Sequence, residues 1–294
     1  MMKVQASSAN MSQPSQLTPV GPVDLVPLFP GLHTELMALL RGLAPDQWSK
    51  PTACALWSVK DIVAHLLDSC LRRLSFGRDG LDPASARPIS GYEDLVAYLN
   101  ELNAQWIAAT RRLSPGVLMD LMDLAGPQLH RYFSSLDPQE TARFGVAWAG
   151  EERSLNWFDI GREYTERWLH QQQIREAVGA MGLTGQEWLH PALDIFVRAL
   201  PHTYRQVEAE PGITVAFEIR GEAGGVWTLA RGPAGWTLLG GREPQARAQV
   251  SLDQETAWKL FSQGLSPEEA SRRIVIMGDP RLGRPVFGTL AVMA

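Results

Sequence analysis

The sequence predicts two folds in series: an all-helical bundle over residues 23–182, then a small α+β domain over 183–294 with a mainly antiparallel sheet. Apolar residues recur at helical spacing to about residue 180, and nothing in that stretch alternates like a strand. Beyond about residue 185 the apolar period drops to two in several short runs. The first 22 residues are rich in Ser, Gln and Pro and have no apolar core, so they read as a flexible tail and fail as a secretory signal.

Each element has its own warrant. The first helix, over 24–44, is bent or shortened at Pro30 and Gly31. The second, over 57–76, takes Ser58 as its N-cap, with Asp61 in the first turn where an acid suits the helix dipole. Ile62, Val63, Leu66, Leu67, Cys70 and Leu74 form its apolar arc. A third helix spans 92–113, and a fourth opens with Ser114 as cap and Pro115 in the first turn. The last runs from about Leu155 to Val178 and is closed by Gly179. Such a set packs most simply as a bundle. In the second half, 191–207 reads as a short helix and 213–219 as a strand with Ile213, Val215, Phe217 and Ile219 on one face. Two further strands, 225–231 and 235–241, flank the turn Gly232–Pro233–Ala234, and 246–252 alternates again. A capped helix follows at 253–264, a capping box at Ser266 and Glu269, a buried-type strand at 274–279 and a closing helix over 282–294.

Composition narrows the class. The chain has 294 residues, 45% hydrophobic and 20% charged, which is globular composition with length for roughly two domains. A net charge of −5 gives no reason to expect nucleic acid as a partner. No apolar run approaches the ~18 residues of a membrane span. Two cysteines, Cys54 and Cys70, make a disulfide framework an unlikely design and a reducing cytoplasm the default location. The expectation is a soluble cytoplasmic protein, monomer or homodimer, acting on a small molecule.

The candidate chemistry lies in REYTERWLHQQQIREA, residues 162–177. Glu166 and His170 are four residues apart, so on a helix they stack on one face. At about 100° per residue, Asp159, Glu163, Glu166, His170 and Gln173 share a side opposite Trp157, Ile160, Tyr164 and Trp168. One reading of that side is a solvated polar stripe; the other is part of a metal site, which wants a third ligand and an open position. His65 sits at the rim of the apolar arc of its helix, a place that suits a ligand reaching into a cleft or a partly buried structural histidine. His33, His130, His190 and His202 have no acidic or histidine partner at i+4. Glu163 is a second candidate ligand, its direction lying close to that of His170. Cys54 reads as a small buried residue, and the ten tryptophans mostly as core.

Three segments resemble a known family. TACALWSVKDIVAHLLD is similar to the second-helix signature of the DinB-like, mycothiol-dependent maleylpyruvate isomerases: a Trp, a small polar cap, an acid, then a His-Leu pair. YTERWLHQQQIREAVG resembles that family's Glu-x-x-x-His on the last bundle helix, and the C-terminal segment resembles its sterol-carrier-like domain. The resemblance runs from about residue 23 to the end. It implies a DinB-like four-helix bundle in which His65, Glu166 and His170 hold one divalent metal, zinc being the expected ion. It also implies a low-molecular-weight thiol such as mycothiol as cosubstrate. Thiolate addition to an activated double bond gives cis–trans isomerisation if elimination follows, and S-transfer if it does not. An anionic substrate or thiol would need cationic anchors, for which Arg162 and Arg175 on the last bundle helix, and Arg72 and Arg73 beyond His65, are candidates. Two other functions stay open: a non-catalytic carrier or metal-dependent sensor with an apolar cavity near Phe217, Trp227 and Leu238, and a metal-dependent hydrolase on the same triad.

Overall fold

The structure, a computed structural model, describes residues 17–82 and 89–292. Five helices make the first half: α1 (Phe29–Arg41), α2 (Val59–Arg72), α3 (Tyr92–Thr110), α4 (Pro115–Ser134) and α5 (Asn156–Val178). The Ser58 hydroxyl accepts from the Asp61 amide while the Asp61 carboxylate accepts from the Ser58 amide, a closed capping box that fixes where α2 begins. Gly179 ends α5 at φ +70°, the left-handed cap that only glycine adopts without penalty. Beyond Arg72, α2 continues as a π-helical turn over Arg73–Arg78, and a Cβ at Gly77 would overlap the Tyr132 hydroxyl of α4.

Packing divides these helices unequally. α2 lies against α4 and α5, and α1 closes the bundle between α4 and α5. Their buried faces, Leu32, Leu36 and Leu40 of α1 with Ile62, Leu66 and Cys70 of α2 and Met122 and Phe133 of α4, form one core. α3 packs mainly on α2, and through its C-terminal end: Ile107 and Thr110 are buried, and the Trp106 indole donates to the Ala64 carbonyl at 2.8 Å. The rest of its apolar stripe stays half-buried.

The second half is a six-stranded mixed sheet in the order β1-β4-β3-β2-β5-β6, built from Thr18–Pro19, Thr214–Arg220, Gly225–Arg231, Trp236–Gly240, Ala248–Asp253 and Val275–Gly278 as β1 to β6. All neighbours are antiparallel except β2 and β5, which run parallel. The helices α6 (Gln186–Phe196), α7 (Leu200–Thr203), α8 (Gln254–Phe261), α9 (Pro267–Ser271) and α10 (Pro280–Gly283) accompany the sheet, with α8 on β2 and β5. α5 joins the halves: it packs on α6, and the Trp168 ring meets Trp258 of α8 edge-on at 5.5 Å.

Four local expectations change. The stretch read as a tail ends in structure, since Thr18–Pro19 pair with β4, whereas residues 1–16 lie outside the described residues. The helix expected over 191–207 starts earlier, at Gln186, and breaks after Phe196, where Pro201 has no N–H to offer the Val197 carbonyl. β6 is an edge strand with Val275 and Met277 about half exposed (52% and 53%), not a buried one. The closing helix is only α10 and a 3-10 turn over Arg284–Gly288, because Pro285 and Gly288 interrupt it.

Candidate metal centre

α2 and α5 lie side by side and project polar groups toward one another in two layers. In the first, the His65 Nε2 is 2.9 Å and the His170 Nε2 3.1 Å from the same oxygen, Oε1 of Glu166. One ligand atom from each residue falls within 4.8 Å of the others, so a single ion could touch all three. His65 and His170 are 6% and 7% exposed, and the Glu166 side chain 28%. Asp159, Glu163 and Gln173 are buried as well, so the polar side of α5 is not a solvated stripe.

The hydrogen-bond pattern sets where the protons of this layer sit. The Nδ1 of His170 lies 2.7 Å from the Gln173 side-chain oxygen, which can only accept, so Nδ1 carries the proton. In a neutral ring the Nε2 lone pair then faces the Glu166 carboxylate. That contact is favourable only with a proton or a metal ion between them. Without metal, the proton takes the place: burial works against a charged His170, but the Glu166 carboxylate outweighs it and raises its pKa to about 10. Burial also dominates at His65, which is lowered. Glu166, which burial would push up, is held well below the usual carboxylate range by the two imidazoles. Two neutral imidazoles and a carboxylate are a donor set suited to zinc, and Gln173 fixes the tautomer that turns one nitrogen inward.

The second layer stands toward the π-turn of α2. Arg73 grips Asp159 with both terminal nitrogens, at 2.7 and 2.8 Å, and reaches Glu163 at 2.9 and 3.0 Å. The Ser69 hydroxyl donates to Glu163 at 2.9 Å, and Arg167 lies 3.7 Å from it. Burial alone would raise the Glu163 pKa, but Arg73 and Arg167 bring it down to about 2. Glu163 is therefore tied to arginine and does not face the triad.

A cavity of about 610 Å³ opens on both layers. Besides the triad it is lined by Trp57, whose ring centre is 4.7 Å from that of His65, and by Cys54, whose thiol donates to the Gln173 oxygen at 3.2 Å. Arg162 lines the cavity, paired with Asp159. Arg175 does not. Five residues beyond His170, it points about 140° away around the helix, and its guanidinium serves Glu35 and the Met181 carbonyl. Phe217, Trp227 and Leu238 are buried in the packed core and do not line this cavity. Trp57 as a wall of the site and Gln173 as the partner of His170 were not foreseen. Gln173, three residues from His170 on the same face, carried a readable signal; the ring of Trp57 carried none.

A profile of the mycothiol maleylpyruvate isomerase N-terminal domain matches residues 29–175, half the chain, and that span contains all three triad residues. The chain belongs to this family. Its fold is like that of a crystal structure of the mycothiol-dependent maleylpyruvate isomerase carrying a histidine-to-alanine mutation, with a TM-score of 0.51 at 12% identity over 85% of this chain and 90% of that one. A second crystal structure of the mycothiol-dependent maleylpyruvate isomerase gives a TM-score of 0.49 at 13% identity, over 80% and 86%. No curated protein matches. Within the family, the helical half and the mixed-sheet half both agree with the fold expected from sequence. No helix among the described residues is long and apolar enough to cross a membrane.

Proposed function

We propose that this protein is a metal-dependent enzyme that uses a low-molecular-weight thiol, mycothiol or a relative, to add to a small electrophile. Cis–trans isomerisation and S-transfer are the two outcomes of that chemistry. The observation that carries the reading is the convergence of His65, Glu166 and His170 on one point at the wall of a large cavity. A bound divalent ion, with zinc the ion this donor set favours, would deprotonate a thiol that reached it and hold the thiolate. The family's named activity, mycothiol-dependent maleylpyruvate isomerisation, supports the choice of thiol.

The chain's own residues have separable tasks. His65 and His170 present inward nitrogens, Glu166 supplies the compensating charge, and Gln173 holds the His170 proton at Nδ1. Trp57 covers one side of the imidazoles and keeps bulk water from them. Elemental analysis of wild type, His65→Ala and His170→Ala tests the reading. About one zinc or similar ion per chain, absent from both folded variants, together with thiol-dependent turnover in wild type alone, is the expected outcome. A wild type that stays empty after zinc is added would overturn it, and turnover without any thiol would replace it with a hydrolase.

A further inference from the structure

We infer that the electrophile taken by this cavity is a neutral molecule with an apolar body, not a dicarboxylate. The inference rests on the thiol-enzyme reading above and deepens it. Two features carry it: three of the four arginines in the cavity already pair with carboxylates, and one helix turns a half-buried apolar stripe into it.

Four arginines line the space. Arg73 holds Asp159 and Glu163, Arg162 holds Asp159, and Arg72 lies 2.9 Å from Asp68 and donates to Asn103. Asp68, Asp159 and Glu163 already sit against these three arginines, so a substrate carboxylate there would compete with a fixed one. Arg143 differs. Its side chain is 37% exposed, it donates to the Leu81 carbonyl, and Asp82 is 3.9 Å away. It offers one anchor where a dicarboxylate needs two.

The facing wall comes from α3. Leu95, Val96, Leu99 and Leu102 fall within a single stripe of that helix, and all four line the cavity. They are half-buried, and the hydrogen bonds that tie α3 to α2 lie beyond them at Asn103 and Trp106, so this part of the stripe has the cavity for a neighbour. Phe76 and Leu169 continue the apolar lining. Such a wall gains by removing apolar ligand surface from water and offers nothing to a carboxylate. The matching chemistry is an unsaturated ketone or aldehyde with an aryl or alkyl body. In the reaction the thiol sulfur loses its proton and bonds to the β-carbon. The C=C electron pair moves to the α-carbon, which takes up a proton, so thiol and electrophile combine with no other reactant.

The test uses 4-phenyl-3-buten-2-one as the neutral probe and maleate as the dicarboxylate, titrated by calorimetry into the zinc-treated full chain without thiol. Wild type is compared with Leu99→Asp and with Leu124→Asp, an exposed site on α4 that does not line the cavity. The inference expects the enone to bind at least tenfold more tightly than maleate. It also expects Leu99→Asp to weaken the enone at least tenfold with zinc content and Tm unchanged, and Leu124→Asp to bind like wild type. Maleate binding as tightly as the enone, or a Leu99→Asp variant that binds the enone like wild type, overturns it. Zinc content and thiol-dependent consumption are read separately. An enone-binding chain without them would sink the enzyme reading, and a maleate-preferring chain with them would sink only the substrate class.

Discussion

The two polar layers between α2 and α5 use the same helices and nearly the same alphabet, yet they are opposites. In the Arg73 layer two carboxylates face permanent cations, Arg73 between them with Arg162 and Arg167 at its sides, and a hydroxyl, so the layer is complete as it stands. In the triad layer one carboxylate and two imidazoles face each other with no permanent cation, and only a borrowed proton holds them together. Arginine, which stays protonated at any relevant pH, makes a brace; histidine, which can give its proton up, leaves a donor set that could hold a metal. The difference teaches that buried charge alone does not mark a site here. What marks it is a cluster of acceptors lacking a fixed positive charge.

Breaking the brace should have the largest effect. Arg73→Met leaves Asp159 with Arg162 and Glu163 with Arg167 and Ser69, so compensation is partial and the loss is about 3 kcal/mol of unfolding free energy. His65→Ala, measured in chelator-treated protein, should lose less, since Glu166 keeps its contact with His170. Chemical denaturation of both variants checks this. Equal losses would mean that the triad is a brace too.

The same contrast has a pH signature of opposite sign. The Glu163 pKa falls from 4.5 unfolded to about 2 folded, so its stabilisation is present above pH 4.5 and is lost as pH drops toward about 2. That loss is on the order of 3 kcal/mol, at about 1.4 kcal/mol per pH unit. The His170 pKa in the metal-free chain rises from 6.5 to about 10, so its contribution is present below pH 6.5 and is lost as pH climbs toward about 10. Glu163→Gln should flatten the acid arm of a stability-versus-pH curve. Zinc should flatten the alkaline arm, because the ion replaces the proton. An alkaline arm unchanged by zinc would count against the triad as the metal's place.

How much of this was legible in the sequence follows from what is local. Helix positions, the Ser58–Asp61 box, the Gly179 cap and the shared side of Glu163, Glu166 and His170 are set within a few residues and were readable. What a residue faces depends on the register between distant helices. Glu163 and His170 share a direction on α5, two turns apart, yet one meets Arg73 and the other His65. For the same reason the sequence marks Arg73 and Arg175 alike as anchors for an anion, whereas Arg73 braces Asp159 and Glu163 and Arg175 faces Glu35. The parallel pairing of β2 with β5 and the addition of Thr18–Pro19 to β4 are also long-range choices that no local pattern records.

The smallest change sharpens the comparison at a single hydrogen bond. Gln173 touches the candidate metal only through His170, whose Nδ1 proton it accepts at 2.7 Å. Removing that acceptor with Gln173→Leu frees the ring to carry its proton on Nε2, the nitrogen the ion needs. Zinc affinity, measured by competition with a chromophoric chelator, should fall about 10- to 100-fold, which is about 1.4–2.7 kcal/mol. Gln173→Glu retains an acceptor at the same reach and should stay near wild type. A Gln173→Leu chain that binds zinc as tightly as wild type would show that the tautomer is set by something other than this bond. The Arg73 layer has no counterpart to such a variant, because a guanidinium has no tautomer to choose.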